Sequence, residues 1–348
     1  MRLASATNAI ESEGGQFMTS VLEHNQWEGP LHILSLDGGG IKGLFSAAVL
    51  AKLEEDHGVR VIDHFDLIVG TSTGGILAIA LGLGVPPAKL VEFYVEHGPS
   101  IFGGAPEGRV RGFIHSLRRR KYGNESLRES IQSVFGDRTL GESAKRLVIP
   151  TYNLGRDEVR LFKTAHHSRL KRDWKIPAWQ IAMATSAAPT FFSAWRGIED
   201  QRLVDGGVWA NNPTMVGIIE AKSVLGASLD QIRVLSLGTC DELVHRPDEL
   251  DEGGLLAWKS QALKVIMRGQ SVGTDNLAGL LLGRERVRRV DPKVPNKLFL
   301  LDKTDTMDKL IAEAAHTSQH LGPLFTSEFI PHVAVPFRPY LPAQEANL

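Results

Sequence analysis

Three short stretches carry the residue types that break an ester: a serine in "GTSTG" (Gly70 to Gly74), an aspartate in "LVDGGVWANNP" (Asp205), and a run of backbone amides in "DGGGIKG" (Asp37 to Gly43). The first fits G-x-S-x-G, the pattern of a nucleophile on a sharp strand-to-helix turn. Glycine at Gly70 and Gly74 relieves the crowding that a Cβ would cause in such a bend, and a helix starting after Ser72 turns its positive end toward an alkoxide. In the third, successive N–H groups at a helix start suit an anion. Gly38 to Gly43 also matches G-x-G-x-x-G, but a dinucleotide site needs an acidic residue at the end of the next strand, and that strand ends in Val69 and Gly70. A P-loop needs Lys-Ser or Lys-Thr after the glycines, and none follows. The remaining reading is an oxyanion hole built from the N–H groups of Gly38, Gly39 and Gly40, where one lost donor costs about 2.7 to 4 kcal/mol of barrier. Asp37 reads as structural, its carboxylate bonding turn amides.

A serine nucleophile needs a base. Twelve histidines are present, yet none stands in a comparably marked turn: His57, His64 and His97 sit near helix or loop ends, and His166 and His167 follow a strand in a polar stretch. Asp205 ends an apolar strand and is followed by Gly206 and Gly207, which let the chain pass close to another segment. A carboxylate is a weak base for an alcohol, so the reading requires a site that excludes water, raises the carboxyl's pKa and absorbs charge at the oxyanion.

The elements around these motifs must hold them together. "LHILSL" (31–36) reads as a buried strand and "IKGLFSAAVLAKLEEDHG" as a helix ending at Gly58. "FDLIVG" (65–70) is a second strand, and "ILAIALGLG" a helix apolar on all sides and hence buried. Two strand-helix units about thirty residues apart imply parallel strands with a right-handed crossover, which opens both glycine turns at one sheet edge. Further strands are expected at 145–154, 158–164, 202–207 and 232–239, with helices in 176–192, stopped by Pro189, and 212–226. The alternation makes an α/β domain.

These three motifs, with "ATSAAPTFF" (184–192), resemble the patatin-like phospholipases, whose signatures are D-G-G-G-x-[RK]-G, G-x-S-x-G and D-G-[GA] in that order. The resemblance covers about Leu31 to Thr239. It implies a three-layer α/β/α sandwich with a mostly parallel central sheet, a Ser-Asp dyad without histidine, no cofactor or metal, and membrane glycerophospholipid as substrate. Carried over, Ser72 is the nucleophile, Asp205 the base, and Gly38, Gly39 and Gly40 the oxyanion donors, with Gly43, Gly70, Gly74, Gly206 and Gly207 completing the motifs. Lys42 stands where many members have arginine. The chain length and C-terminal region further resemble bacterial members activated by a cyclic dinucleotide in anti-phage defence. A cyclic dinucleotide is thus an expected activator, since a lipase with constant access to its own membrane would be toxic.

The bulk numbers fit such a protein. The 348 residues are 43% hydrophobic and carry 39 basic against 40 acidic residues. That exceeds what single cores usually hold, and it gives no overall pull toward nucleic acid, which is not expected as a partner. One cysteine, Cys240, excludes an internal disulfide and fits a reducing compartment. The N-terminal stretch lacks the order of a secretory signal, Met18 is an alternative start, and no apolar run reaches the ~20 residues of a span. A cytoplasmic protein with peripheral contact to the inner membrane is expected. The divisions expected are a flexible segment (1–27), a catalytic domain (28–240) and a helical, regulatory C-terminal extension (241–348). Local basic stretches at 108–123 and in "RERVRR" (284–289) are candidate contacts for lipid or nucleotide phosphates. "LLAWKSQALKVIM" (255–267) reads as core cover or a subunit contact, so a homo-oligomer is also expected. Trp209 is a candidate lining of an acyl channel.

Overall fold

A computed structural model describes residues 26–102, 123–243, 248–254, 258, 261–295, 298, 299 and 304–340. The basic stretch at 108–122 and the first 25 residues lie outside the described residues.

The centre is β1 (Leu31–Leu36), buried along its whole length. It leads through the glycine turn into α1 (Gly43–His57), which ends at Gly58 in the left-handed conformation, as the sequence pattern predicts. β2 (Leu67–Gly70) leads into α2 (Thr73–Gly82), buried on every side. Next come α3 (Pro87–Phe102), α4 (Glu125–Phe135), β3 (Arg146–Asn153), β4 (Glu158–Lys163) and α5 (Ala178–Thr185). β5 (Leu203–Asp205), a short α6 (Gly207–Ala210), α7 (Thr214–Ser223), β6 (Ile232–Leu237) and β7 (Asp241–Leu243) follow. The C-terminal region adds α8 (Ala262–Leu282), β8 (Val287–Val290), β9 (Lys293–Pro295) and α9 (Met307–Glu328).

The main sheet runs β4-β3-β2-β1-β6-β8, with β5 also on β3; β7 and β9 pair separately. β1 is parallel to β2 and β6, and β3 is parallel to β2. Leu36 stands opposite both Gly70 and Leu237, so the chain leaves β1, β2 and β6 at one edge. β5 is antiparallel to β3 and sets Asp205 opposite Thr151 at that same edge.

Alternation along the strands divides the core in two. Leu34, Leu36 and Ile68 face a layer of α1, α2, α3, α5 and α9, while Ile33, Leu67 and Val69 face α7 and α8. The result is an α/β/α sandwich. Within the stretch expected to be helical, Val287–Val290 forms a strand: its two β-branched valines suit the pleat beside β6, and the adjacent Arg288 and Arg289 are each held by carboxylates. α9 packs on α1 through Leu310, Ala314, Leu321 and Phe325, all buried, with Leu310, Leu321 and Phe325 each contributing roughly 1.5 to 3 kcal/mol of transfer free energy. Among the described residues no helix is long and apolar enough to cross a membrane.

Candidate active site

Ser72 caps the start of α2 with φ 56 and ψ −124. A non-glycine residue there costs of order 1 to 3 kcal/mol, a strain the surrounding structure must hold. The flanking glycines explain the bend. A Cβ on Gly70 would stand 2.1 Å from the Gly74 carbonyl oxygen, and one on Gly74 would stand 2.2 Å from that of Leu36. The elbow is therefore pressed onto the end of β1, and the glycine loop lies against it. A Cβ on Gly38 would sit 3.2 Å from the Ser72 Cβ.

The Ser72 hydroxyl donates to Asp205 Oδ2 at 2.6 Å. Asp205 Oδ1 accepts from the Gly207 N–H at 2.7 Å, which gives the D-G-G turn its shape. The carboxylate is 5% exposed and, among the described residues, has no cation beside it; burial pushes its carboxyl up to about 6, while the bonds from Ser72 and Gly207 pull the other way. That leaves it ionised at neutral pH yet far more basic than a solvated aspartate. No histidine bonds either residue among the described residues. His166 bonds Glu220 and Thr164, and His64 bonds the His332 carbonyl.

The glycine loop is more selective than its sequence suggests. The Gly38 N–H is donated to the Asn211 carbonyl at 2.9 Å, which removes it from the three expected donors. Among the described residues nothing accepts the N–H groups of Gly39 and Gly40, which cap and open the short 3-10 turn Gly40–Lys42. Asn211 Oδ1, buried beside Gly38 and Gly207, also has no partner among the described residues. Lys42 is turned inward: its ammonium donates to the Cys240 carbonyl at 3.2 Å, and burial lowers its pKa.

Asp37 is structural by a different route than turn amides. Its carboxylate takes two bonds from Arg289 of β8, at 2.9 and 2.7 Å, and Ser271 Oγ lies at 3.4 Å. Arg289 also bonds Asp291, and the two carboxylates hold the guanidinium firmly charged. Three of the four arginines of "RERVRR" are thus taken up in ion pairs, Arg284 with Asp275 and Arg288 with Glu328 besides Arg289. Trp209 donates its indole N–H to the Thr151 carbonyl and so braces the strand beside Asp205.

One residue without a signal in its type is Thr185, the last of α5. Its Oγ1 accepts the Ser72 N–H at 3.0 Å and donates to the Pro150 carbonyl at 2.7 Å. Thr185 ties the strained elbow to β3, the strand that carries β5 and Asp205, and takes the Ser72 N–H out of any oxyanion hole. Only its place in "ATSAAPTFF" pointed to the site.

The family model of the patatin-like phospholipases matches residues 34–218, from β1 through the elbow and the Asp205 turn into α7. The chain belongs to this family. It is a hydrolase of lipid esters, as patatin-like phospholipases are. A cGAMP-activated phospholipase of Pseudomonas aeruginosa is 32% identical over 76% of this chain and 80% of that protein. One from Vibrio cholerae is 35% identical over 63% of this chain and 67% of its own length. Patatin-like protein 4 of Arabidopsis thaliana is 34% identical over 56% of this chain and 53% of that protein.

Proposed function

We propose that this patatin-like protein is a phospholipase of the A type in which Ser72 attacks a glycerophospholipid ester and Asp205 takes its proton. The observation that carries this reading is the Ser72 to Asp205 hydrogen bond at 2.6 Å, made by an elbow serine to a buried carboxylate. Attack joins Oγ to the ester carbon and moves the hydroxyl proton to Asp205 Oδ2; the carbonyl oxygen becomes an oxyanion facing the N–H groups of Gly39 and Gly40. Collapse expels the lysolipid oxygen, which takes the proton from Asp205 and leaves an acyl-Ser72. Water then gives a proton to the same carboxylate as it attacks the acyl carbon; collapse breaks the bond to Ser72 Oγ, which takes that proton back from Asp205 as the fatty acid leaves.

A cyclic dinucleotide is the proposed switch, acting in the cytoplasm against the inner membrane in antiviral defence. This finer reading is supported by the two bacterial relatives named for activation by cGAMP and by the toxicity of an unrestrained lipase. The test is fatty-acid release from phospholipid vesicles by purified protein, with and without a panel of cyclic dinucleotides that includes 3′,3′-cGAMP. Ser72→Ala and Asp205→Ala each abolish release while keeping the far-UV circular dichroism of the parent; undiminished release by either variant refutes the dyad. Full release with no nucleotide keeps the lipase and removes the switch.

A further inference from the structure

α8 presents an uncovered apolar seam. Ala262, Ile266, Gly269, Gly273, Asn276 and Leu280 follow one another at intervals of four, three, four, three and four residues, the spacing that keeps one stripe of a helix facing a neighbouring helix. Ile266 is 60% and Leu280 84% exposed, and Leu277, on the flank of the stripe, is 58% exposed. Around Gly269 and Gly273 nothing lies within 4 Å of where a Cβ would stand. A soluble chain rarely leaves large aliphatic side chains in a row over four turns without a use for them.

We infer that this seam pairs with the seam of a second copy of the chain, the two α8 helices lying antiparallel across a two-fold axis at Gly273. The stripe is self-complementary about that residue. Ile266 stands seven residues before it and Leu280 seven after; Gly269 stands four before and Leu277 four after. An antiparallel copy therefore sets Ile266 against Leu280 of the second copy and drops Leu277 over its Gly269, large into small, twice over. Gly273 meets its own equivalent, which lets the backbones approach closely.

Charge favours a second copy over a lipid surface. The seam itself carries no ionisable side chain, and Arg284 on its flank is paired with Asp275 and donates to Asn276, whereas a helix that lies on an anionic bilayer flanks its apolar face with free Lys and Arg. Helical spacing puts Lys264 and Arg268 on the far side of α8, and Arg268 is paired with Asp241. The area sets the strength. A strip about 30 Å long and about 10 Å wide amounts to roughly 300 Å² on each copy, below the ~800 Å² per partner of tight complexes, so pairing is reversible at micromolar protein.

The opposite side of α8 touches the reaction centre. Met267 Cε lies 3.5 Å from where a Cβ on Gly207 would be, Gln270 exchanges hydrogen bonds with the Asn212 backbone at 3.1 and 3.3 Å, and Ser271 reaches Asp37. A dimer formed through the seam thereby steadies the helix that backs both D-G-G turns.

The experiment uses the full chain. Sedimentation equilibrium of the parent is expected to show the mass doubling between about 1 and 100 µM, and Leu280→Glu, with the parent's circular dichroism, to raise the dimer dissociation constant at least tenfold. Gly273→Cys supplies a covalent readout, since a residue on the two-fold axis faces its own copy while Cys240 is buried. Mild oxidation is expected to convert Gly273→Cys, and not the parent, to a disulfide dimer. A parent that stays monomeric at 100 µM, a Leu280→Glu variant that dimerises as well as the parent, or a Gly273→Cys that does not cross-link overturns the proposal. Loss of binding to anionic phosphatidylglycerol vesicles by Leu280→Glu from a monomeric parent also overturns it and assigns the seam to lipid.

Discussion

Two D-G-G turns end strands at the same sheet edge, and they have opposite characters. Asp37 and Asp205 are both buried, and both are followed by glycines that let other backbone pass close by. Burial raises both carboxyls to about 6, but at Asp37 a guanidinium brought from β8 pulls against that rise, and its charge is spent on fixing the loop. Asp205 has, among the described residues, only a hydroxyl and an amide for company. A buried carboxylate paired to a cation is an anchor; one bonded to a nucleophile's hydroxyl is placed to take that hydroxyl's proton. What separates them is a partner 252 residues away.

Removing the carboxylate from each turn separates the two characters most widely. Asp205→Asn is expected to lower kcat/KM for vesicle phospholipid by roughly 10²- to 10⁴-fold without lowering the melting temperature. Breaking the anchor should do the reverse first. Arg289→Met leaves Asp37 buried without its cation and is expected to destabilise the fold by about 3 to 5 kcal/mol, read by urea unfolding. The double variant Asp37→Asn/Arg289→Met should recover a large part of that loss. If Arg289→Met unfolds at the parent's urea midpoint, the anchor reading fails.

The same contrast marks how far the amino-acid sequence is legible. Strand cores, the all-round burial of α2 and the end of α1 at Gly58 follow from local apolar period and glycine chemistry, which a single segment carries within itself. The nearness of Ser72 to the glycine loop follows as well, because parallel strands with crossovers put successive turns at one edge. Arg289 reads as part of a basic run, and nothing local shows that this run forms a strand beside β6. The commitment of the Gly38 N–H to Asn211 is likewise invisible, since every glycine in the loop has the same chemistry until another segment arrives. Thr185 lies among small residues with no chemical signal, and its role comes from a bond spanning 113 residues.

Thr185 offers a finer probe of the Asp205 turn, since it links the elbow to the strand beside that turn. Thr185→Val keeps the shape but removes the acceptor of the Ser72 N–H and the donor to Pro150. A buried unmatched amide costs about 1 to 3 kcal/mol, so the elbow relaxes and kcat should fall by roughly ten- to a hundredfold, with KM little changed. Thr185→Ser restores both bonds and should return most of the rate. Labelling of Ser72 by a fluorophosphonate follows the same order. Equal rates in the valine and serine variants would mean that the methyl packing, and not the hydroxyl, matters here.

The smallest effect tests the same carboxylate through pH. The carboxyl of Asp205 lies at about 6 in the fold and near 3.9 in the unfolded chain, so the folded state binds its proton more tightly. Protonation therefore favours folding: that contribution is full below about pH 4 and is lost as the pH rises through 6. Above pH 7 the parent holds an unpaired buried charge that Asp205→Asn lacks, and the variant should be the more stable by up to ~2 kcal/mol. Part of that gain is offset because one amide group must face the Gly207 N–H. The advantage should shrink between pH 7 and pH 4.5, while kcat/KM of the parent climbs with an ascending limb near pH 6. Paired urea titrations at pH 7.5, 6 and 4.5 read it as a difference, which cancels the groups common to both proteins. An advantage that stays constant across that range would place the Asp205 proton elsewhere and leave the two turns alike.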